Sequence, residues 1–572
     1  MVKKTLTGYP SIDKPWLKYY SEEAINAPLP ECTIYEYLFE SMDGYLDRTA
    51  ISYFGHLISY RKLSEKIREA ADAFAALGVK AGDVVTVALP NIPENIYCFY
   101  ALNMLGAIVN MVDLRSKGDV LLHYINESGS KIAVICDVFA DNMYSVVDKT
   151  ELDTLILAAP LGALSFPFNM YKRSLKPMHE LSAKIIRWEK FMKLSCGEAW
   201  SVNQDADTVA CIAHTSGTTS KPKGVMLTSR QINSLVSQYV SIGFEHDISD
   251  RMLNQVPPFL AYSFLSFHFP FALHMIVTLL PEYRPDKFAN NLKKYSPNHV
   301  FAGPGDWGNL LTKHGKLIDY SSLKSLASGS DHLDVKTKAA ITEVLRNGNC
   351  KNNILEGYGM TECCSAAATQ LPEHVVDNSV GVPLPKNTFC IYDNEENTEL
   401  TYDEVGEICI SGPSVMNGYF REQEETDNVL KIHSDGKLWL HTGDTGMIDS
   451  DGNVYLLGRT KRVIIRYDGI KVYPINIENA VMKHSAVSAC CAVGLSDSVH
   501  GRGFVPVVFS VLNKIYDVNT AEKELKELCR AELSEAYRPV EIYFVDALPL
   551  TANGKVDFRT LERTAAENTN GG

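Results

Sequence analysis

The run of residues 215–224, Thr-Ser-Gly-Thr-Thr-Ser-Lys-Pro-Lys-Gly, has the composition expected of a phosphate-binding loop. Hydroxyl groups donate hydrogen bonds to anions, glycines let backbone N–H groups turn toward them, and lysines supply positive charge. The residues assigned to this task are Thr215, Ser216, Gly217, Thr218, Thr219 and Lys223. The loop is not a Walker-type P-loop, because Pro222 separates its two lysines and an apolar residue follows Gly224. Composition alone would favour an ordinary surface turn, so the interpretation depends on the other motifs.

Four further short motifs follow this loop in order along the chain. They are Tyr-Gly-Met-Thr-Glu at 358–362, Thr-Gly-Asp at 442–444, Gly-Arg-Thr-Lys at 458–461 and Leu-Pro-Leu-Thr-Ala-Asn-Gly-Lys at 548–555. Each motif is weak by itself, because such short strings also occur by chance and in ordinary turns. The occurrence of all five motifs in this order is far more specific than any one of them alone.

On these motifs the chain resembles the adenylate-forming superfamily, which includes acyl-CoA synthetases, adenylation domains of nonribosomal peptide synthetases and firefly luciferase. Segments 82–94, 406–419 and 493–497 resemble other core motifs of that family, so the resemblance covers nearly the whole chain. It is closest to fatty acyl-CoA ligases. The resemblance implies an enzyme that activates a carboxylic acid with ATP and Mg²⁺ to an acyl-AMP, releases pyrophosphate, and then forms a thioester with coenzyme A.

The resemblance also implies how the triphosphate is held. The 215–224 loop would bind the β- and γ-phosphates, and Thr361 would contact the α-phosphate. Glu362 and Thr215 would provide hard oxygen ligands for Mg²⁺. The alternative for Glu362 is a solvent-facing carboxylate in a turn, which its place in the 358–362 motif disfavours.

The nucleoside is assigned by resemblance to the next three motifs. Tyr358 would stack on adenine beside Gly359, and Gly329 belongs to the loop that contacts the adenine edge. Asp444 would accept two hydrogen bonds from the ribose hydroxyls, and Arg459 would add donors to the same sugar. The next residues after Gly329 in this chain, Ser330, Asp331 and His332, include an Asp-His pair in place of the more usual small residue and proline, so the adenine-edge contact stays open.

The small C-terminal domain carries the remaining roles implied by the resemblance. Lys555 would reach the carboxylate and the α-phosphate during adenylation, Lys461 would lie at the hinge, and Gly469 would line the channel for the thiol of coenzyme A. Arg462 stands where an acidic residue is frequent, and the segment up to Gly469 is one residue longer than usual. The register of the channel residues therefore stays open.

Residues 256–263, Val-Pro-Pro-Phe-Leu-Ala-Tyr-Ser, carry the signal for the substrate acid. Amino-acid-activating members of the superfamily place an aspartate near this segment, and none occurs here; an unpaired buried ammonium would cost roughly several kcal/mol. We therefore expect an acid with an apolar tail, favouring a medium- or long-chain fatty acid, with an aryl acid as the alternative. Coenzyme A is the expected acceptor, and the phosphopantetheine of a carrier protein is the alternative. The expected acyl-pocket residues are Phe259, Leu260, Tyr262 and Phe264.

Composition narrows the class of protein. The 572-residue chain has a formal net charge of −14, which disfavours nucleic acid as a main partner. Its thirteen cysteines include no Cys-x-x-Cys pair, which fits neither a zinc-binding spacing nor a secreted disulfide framework and favours the cytoplasm. We expect a monomer or a homodimer.

Membrane contact is expected to be peripheral at most. Residues 259–281 lack charged side chains, but Pro270, His268 and His274 interrupt them, so a buried helix and strand are favoured over a membrane span. Segment 155–168, with basic residues just beyond it, could touch a membrane surface, although an ordinary surface segment is favoured.

The elements that position these motifs form an α/β pattern. Short apolar runs at 84–89 and 131–136 alternate with helical patterns such as 60–77, which predicts βαβ units and parallel sheets. Residues 299–302 are likewise predicted to form a strand, and Asp451-Gly452-Asn453 a hairpin turn. The motif loops should then meet at the carboxyl ends of strands. The resemblance adds a barrel-like β subdomain and a mobile α+β C-terminal domain. We predict a large N-terminal domain at 1–458, a hinge at 459–461 and a small domain at 462–572.

Overall fold

The computed structural model describes residues 6–164, 182–197, 204–215, 222–513, 516–550 and 556–570. Within these ranges the predicted α/β pattern is present, with two large sheets that are mainly parallel and a third that is antiparallel. The predicted strand at 299–302 and the predicted helix at 60–77 are found as His299–Ala302 and Tyr60–Ala76.

The first parallel sheet has seven strands and ends in the two strands that flank the phosphate loop. Its strands are parallel except for the last pair, which is antiparallel. In spatial order they are Lys184–Arg187, Thr154–Ala158, Ile132–Cys136, Val84–Ala88, Ile108–Met111, Val209–Thr215 and Lys223–Thr228. Of segment 155–168, residues 155–158 thus belong to a buried strand, and 165–168 lie outside the described residues.

The second sheet has nine strands, and its central six are parallel. Its outer strands pair in antiparallel fashion. In spatial order the strands are Val382–Pro383, Ala368–Thr369, Ile354–Tyr358, Ser325–Ser328, His299–Ala302, Arg251–Asn254, Ile276–Leu279, Thr49–Tyr53 and His56–Ser59. The loops at Gly329 and Gly359 therefore follow the carboxyl ends of adjacent parallel strands.

The third sheet is antiparallel and carries the Thr-Gly-Asp and Gly-Arg motifs. Its strands are Thr398–Glu399, Thr388–Asp393, Gly406–Ser411, Leu438–Ile448 and Leu430–Ile432, with Val454–Arg459 paired to Leu438–Ile448. The predicted hairpin turn at Asp451-Gly452-Asn453 connects the last pair, and Gly452 has a φ of 92°. This left-handed conformation suits glycine.

The chain after Arg459 builds a separate sheet and its own apolar clusters. A short helix, Thr460–Arg462, leads into the paired strands Ile464–Ile465 and Lys471–Val472. The three-stranded sheet consists of Val487–Ser496, Phe504–Leu512 and Glu541–Phe544. The helices of this part are Pro474–Met482, Val518–Glu532 and Phe558–Asn570.

The main hydrophobic core of the larger part includes residues of all three large sheets, such as Val87, Val277 and Ile408. Helices Phe288–Tyr295 and Val335–Asn347 belong to a second apolar cluster, and helices Gly118–Ser128 and Ala140–Tyr144 to a third. The helix Pro93–Met104 is buried along its whole length, whereas Tyr60–Ala76 is amphipathic and capped by the Ser59 hydroxyl, which accepts from the Lys62 N–H. The other α-helices are Pro10–Asp13, Glu22–Asn26, Ile34–Ser41, Gly118–Ser128, Ala140–Tyr144, Trp188–Met192, Ser229–Ser241, Phe264–Ala272, Phe288–Tyr295, Pro304–Gly308, Val335–Asn347 and Gln423–Val429.

The uncharged segment 259–281 forms the predicted buried helix and strand, Phe264–Ala272 and Ile276–Leu279. Across the described ranges, the search for a helix with the length and apolarity needed to cross a bilayer finds none.

Candidate active site

Strand pairing brings the Thr-Gly-Asp and Gly-Arg motifs face to face. Asp444 and Arg459 lie opposite each other in the antiparallel pair, and Arg459 Nε is 3.0 Å from Asp444 Oδ1. Tyr358, at the end of a strand of the nine-stranded sheet, donates its hydroxyl to Asp444 Oδ2 at 2.7 Å. Arg459 Nη1 also donates to the Thr442 carbonyl at 3.2 Å. Three motifs that are far apart in sequence thus meet at one carboxylate.

Burial decides the ionisation of this cluster. Asp444 is 5% exposed, while the Arg459 side chain is 45% exposed and open to a ligand. Burial raises the pKa of Tyr358 well above its ordinary value, and the neighbouring Asp444 charge adds to the shift. The tyrosine therefore stays a hydrogen-bond donor at physiological pH. Its ring is buried and edge-on to Phe389, with 6.4 Å between ring centroids. The predicted stacking of Tyr358 on adenine stays a prediction.

Glu362 lies in the short helix Thr361–Cys363 and is almost completely buried. Its Oε1 accepts a hydrogen bond from the Tyr419 hydroxyl at 2.8 Å, and its backbone carbonyl accepts from the Met416 N–H at 2.8 Å. Burial raises the pKa of Glu362, and the bond from Tyr419 partly opposes the shift by stabilising the carboxylate. Such a carboxylate gains from a nearby cation.

The loop that presents Thr361 and Glu362 is tightly folded against Gly359. A Cβ at Gly359 would lie 2.2 Å from the Ser365 carbonyl oxygen, a distance that no side chain can occupy. Cys364 and Ser365 both have positive φ angles, of 59° and 101°, which are strained for residues with a side chain. Glycine at 359 therefore permits the close approach that directs Glu362 toward Tyr419.

The described end of the phosphate loop lies beside the same tyrosine. Thr215 ends its strand opposite Lys223, whose Nζ is 4.9 Å from the centre of the Tyr419 ring and forms an ion pair with Glu425. Phe420 N–H donates to the Gly224 carbonyl at 2.7 Å, which attaches the strand after the loop to the Tyr419 segment. The predicted residues Ser216, Gly217, Thr218 and Thr219 lie outside the described residues.

Gly329 separates the nucleotide loops from the expected acyl pocket. A Cβ at Gly329 would lie 3.2 Å from the Tyr262 hydroxyl, and the Tyr262 ring lies parallel to that of Phe301 with centroids 6.4 Å apart. Tyr262 thus contacts the loop predicted to bind adenine. Leu260 precedes the short helix Ala261–Ser263 that carries this tyrosine, and it is half-buried.

Phe259 and Phe264 belong to a different side of the expected pocket. Phe259 lines a cavity beside the carboxyl ends of strands Val84–Ala88 and Ile108–Met111, whose other lining residues are Val87, Leu89, Asn95, Phe99, Val109, Met111, Pro258 and Phe267. Phe264 is fully buried, and its ring lies 5.7 Å from Phe99 and 6.0 Å from Phe267. The cavity wall is therefore almost wholly apolar and aromatic.

The predicted small-domain residues occupy two short loops. Lys461 is exposed in the helix Thr460–Arg462, and Gly469, with a φ of 83°, lies at the turn between Ile464–Ile465 and Lys471–Val472. Arg462, which departs from the family pattern, pairs with Glu478 at 2.6 Å inside the small domain. Lys555 lies outside the described residues.

Sequence reasoning gave no role to Tyr419, although this residue connects Glu362 with Lys223. The available signal was the Gly418-Tyr419 pair, which ends one of the core motifs. A phenol in a loop does not reveal which carboxylate it will bind.

The chain is similar to known proteins along most of its length. A family model described as AMP-binding enzyme matches residues 38–420, and one described as AMP-binding enzyme C-terminal domain matches residues 476–555. A long-chain-fatty-acid–CoA ligase from Bacillus subtilis (strain 168) is 29% identical over 570 residues, which are 97% of this chain and 99% of that protein.

Two other similar proteins are named for different acids. A 4-coumarate–CoA ligase 2 from Petroselinum crispum is 27% identical over 542 residues, covering 91% of this chain and 92% of that protein. The crystal structure of the anthranilate CoA ligase AuaEII in complex with anthranoyl-AMP has a TM-score of 0.81 at 20% identity, covering 96% of this chain and 99% of the other. This likeness confirms the predicted fold class.

Proposed function

We infer, because this chain belongs to the AMP-binding enzyme family, that it is an AMP-forming acid–CoA ligase. It activates a carboxylic acid with ATP to an acyl-AMP and transfers the acyl group to coenzyme A. The observation that carries the proposal is the cluster in which Tyr358 and Arg459 both bind Asp444, with Glu362 in the loop that directly follows Tyr358.

The cluster at Asp444 suits a nucleoside. A carboxylate is an acceptor with about four acceptor positions, and the bonds from Tyr358 and Arg459 hold its orientation. The two neighbouring hydroxyl groups of a ribose are spaced so that both can donate to one carboxylate. Arg459 is the more exposed member and can donate to the same sugar, as the family resemblance implies.

The residues present also fit a magnesium ion that accompanies ATP. Glu362 offers a buried carboxylate held by Tyr419, and Thr215 offers a hydroxyl, both of which are hard oxygen donors. When bound, Mg²⁺ would neutralise charge on the triphosphate. Lys223 and the 215–224 loop would share that task by binding the phosphates.

For the acid we propose an apolar tail, and a medium- or long-chain fatty acid in particular. Support comes from the apolar cavity beside Phe259 and from the absence of an aspartate in residues 256–263. No charged side chain lines this cavity, whose volume is only about 10 Å³, so a tail of methylene groups would enter as the lining side chains move apart. Each methylene group buried there would gain about 0.8 kcal/mol. An aryl acid is the second candidate, because the wall is rich in aromatic rings that can stack on one.

The small domain is proposed to act in two orientations. Residues 459–461 would be the hinge, with Lys461 at its pivot. In one orientation Lys555 would face the α-phosphate, and in the other the Gly469 turn would line the path of the coenzyme A thiol. A carrier-protein phosphopantetheine is the alternative acceptor.

Acid-dependent ATP–pyrophosphate exchange tests the proposal with a panel of octanoate, palmitate, benzoate and free amino acids, followed by thioester formation with coenzyme A. We expect exchange with the fatty acids and thioester formation with free coenzyme A. Exchange with amino acids alone would contradict the substrate proposal. Exchange without any thioester would point to another acceptor.

A variant of a cavity residue tests more directly where the tail of the acid binds. Phe259→Ala should enlarge the cavity and shift the preferred acid toward longer chains, while Phe39→Ala, a half-buried phenylalanine outside the cavity lining, should leave the preference unchanged. An identical chain-length profile for Phe259→Ala and the unmodified enzyme would show that the tail binds elsewhere.

A further inference from the structure

A second cluster of chemically reactive side chains lies in the antiparallel sheet, apart from the residues proposed to bind ATP and the acid. Cys409 lies opposite His441 in the strand pairing, and His433 begins the turn that connects Leu430–Ile432 to Leu438–Ile448. Cys409 and His441 are buried and His433 is half-buried. Their ligating atoms, one sulfur and two imidazole nitrogens, all lie within 4.8 Å of one another.

The two imidazole rings point the same nitrogen at each other. His433 Nε2 and His441 Nε2 are 2.9 Å apart. The other nitrogen of His441, Nδ1, is 2.8 Å from Glu407 Oε2, so a proton on Nδ1 leaves a lone pair on Nε2. A carboxylate behind a histidine in this way is the usual outer partner of a metal-binding imidazole.

Glu407 is itself held in place. Its Oε2 accepts from Asn394 Nδ2 at 2.7 Å, and its Oε1 accepts from the Gly443 N–H at 2.7 Å. The ring of His433 lies between Tyr392 and Trp439, stacked on both with centroid distances of 4.3 and 5.1 Å. Both histidines are therefore oriented by their surroundings, as a preformed binding site requires.

We propose that Cys409, His433 and His441 bind a zinc ion through Sγ, Nε2 and Nε2. Thiolate sulfur and imidazole nitrogen are both zinc ligands, and a zinc site with three protein ligands leaves a fourth position for water or a small ligand. Ligand atoms around tetrahedral zinc lie about 3.3–3.6 Å apart for Zn–N near 2.05 Å and Zn–S near 2.3 Å. The side chains need to move by only a few tenths of an ångström to an ångström.

Sequence spacing did not reveal this set, because the ligands come from two strands and a turn rather than from a Cys-x-x-Cys pair. The competing explanation is a direct hydrogen bond from His433 Nε2–H to His441 Nε2 beside an inert buried thiol. That arrangement binds no metal, so the two explanations differ in a measurable way.

The site would act on the nucleotide pocket through one short connection. Gly443, whose N–H binds Glu407, directly precedes Asp444, and Thr442 donates its hydroxyl to the Ile408 carbonyl at 2.7 Å. Zinc binding would therefore hold the strand that carries Asp444. This role is structural and independent of the identity of the acid.

The proposal is tested by measuring the metal content of the full chain. The protein is produced in zinc-supplemented medium and freed of any histidine tag. We expect about one zinc per chain after passage through a weak chelator, and a loss of most of it in His433→Gln and Cys409→Ser. The matched controls are His374→Gln, a histidine held by Asn453 in another part of the fold, and Cys490→Ser. Both controls should retain the metal.

Two further measurements keep the result interpretable if a variant folds poorly. Cobalt substituted for zinc should give a thiolate-to-metal absorption band in the unmodified protein and in both controls, and the band should disappear in Cys409→Ser. Zinc added to the metal-free protein should raise its melting temperature, but not that of His433→Gln, which replaces a half-buried side chain.

Two outcomes would overturn the proposal. Binding of well under one zinc per unmodified chain, even after reconstitution, would favour the direct histidine–histidine hydrogen bond. Zinc retained by a folded His433→Gln protein would place the metal elsewhere.

Discussion

Replacement of Asp444 by asparagine removes one charge from the proposed ribose site while keeping the size of the side chain. Tyr358 can still donate to the remaining carbonyl oxygen, but the charge that faces Arg459 is lost and one acceptor becomes a donor. Hydrogen bonds to charged groups contribute about 1.5–3 kcal/mol each. Loss of one to two of them, or about 1.5–6 kcal/mol, should lower kcat/KM for ATP by roughly 10- to 20,000-fold, at about 1.4 kcal/mol per factor of ten.

The effect on stability should be smaller than the effect on catalysis. Arg459 is 45% exposed, so its ion pair with Asp444 is screened by solvent and is expected to contribute no more than about 1 kcal/mol to folding. The melting temperature of the variant should therefore fall only slightly. A large fall would make the kinetic result uninformative about ribose binding.

Pyrophosphate exchange with ATP, 2′-deoxyATP and 3′-deoxyATP measures the contact directly. The unmodified enzyme should prefer ATP, and Asp444→Asn should lose much of that preference because the group that reads the hydroxyls is changed. Asp449→Asn, a turn aspartate that accepts from Tyr455 Oη at 3.0 Å, is the matched control and should keep it. An Asp444→Asn enzyme that discriminates as before, with a weakened affinity for the acid instead, would refute the placement.

Three further predictions concern the proton on a buried acid, the support of Glu362 and the mobile domain. Burial raises the pKa of Glu94 from 4.5 to about 8, so between these pH values the native protein holds a proton that the unfolded chain releases, and the free energy of unfolding should fall as pH rises. Glu94→Gln should remove on the order of 1 kcal/mol per pH unit from this slope, measured by urea unfolding. Equal slopes for the variant and the unmodified protein would contradict the prediction. Tyr419→Phe should lower the adenylation rate by about tenfold by removing the hydroxyl that donates to Glu362, and a magnesium titration that is unchanged would argue against Glu362 as a ligand. Lys555→Ala should slow acyl-AMP formation by roughly a hundredfold to a thousandfold, while thioester formation from synthetic acyl-AMP should be largely unaffected. An equal loss in both steps would contradict the proposal that the small domain acts in two orientations.

Local sequence signals were sufficient for much of the fold. The alternation of short apolar runs with amphipathic stretches predicted parallel α/β sheets, and the structure has them. The Asp451-Gly452-Asn453 turn was readable because glycine tolerates the positive φ that the hairpin requires. The uncharged segment 259–281 was correctly interpreted as buried, since its proline and histidines disfavour a lipid environment.

The order of the motifs indicated the chemistry, but it did not indicate which side chains contact each other in the site. Tyr358 and Asp444 are 86 residues apart in sequence, and Tyr419 and Glu362 are 57 apart. No local pattern states which hydroxyl will bind which carboxylate, because that choice depends on strand register and on how loops from different sheets pack. The direction of the pKa shift at Glu362 likewise depends on burial that only the assembled core creates.

The same distinction applies to the cysteine and histidine cluster. The amino-acid sequence shows that Cys409, His433 and His441 are present, but in a stretch without any recognisable metal-binding spacing. Antiparallel pairing then placed Cys409 beside His441, and the turn after Leu430–Ile432 brought His433 against both. Side-chain types and short-range periodicity are properties of the chain, so the sequence specifies them directly. Distances between residues from separate strands depend on register and packing, so they are fixed only once the whole chain has folded.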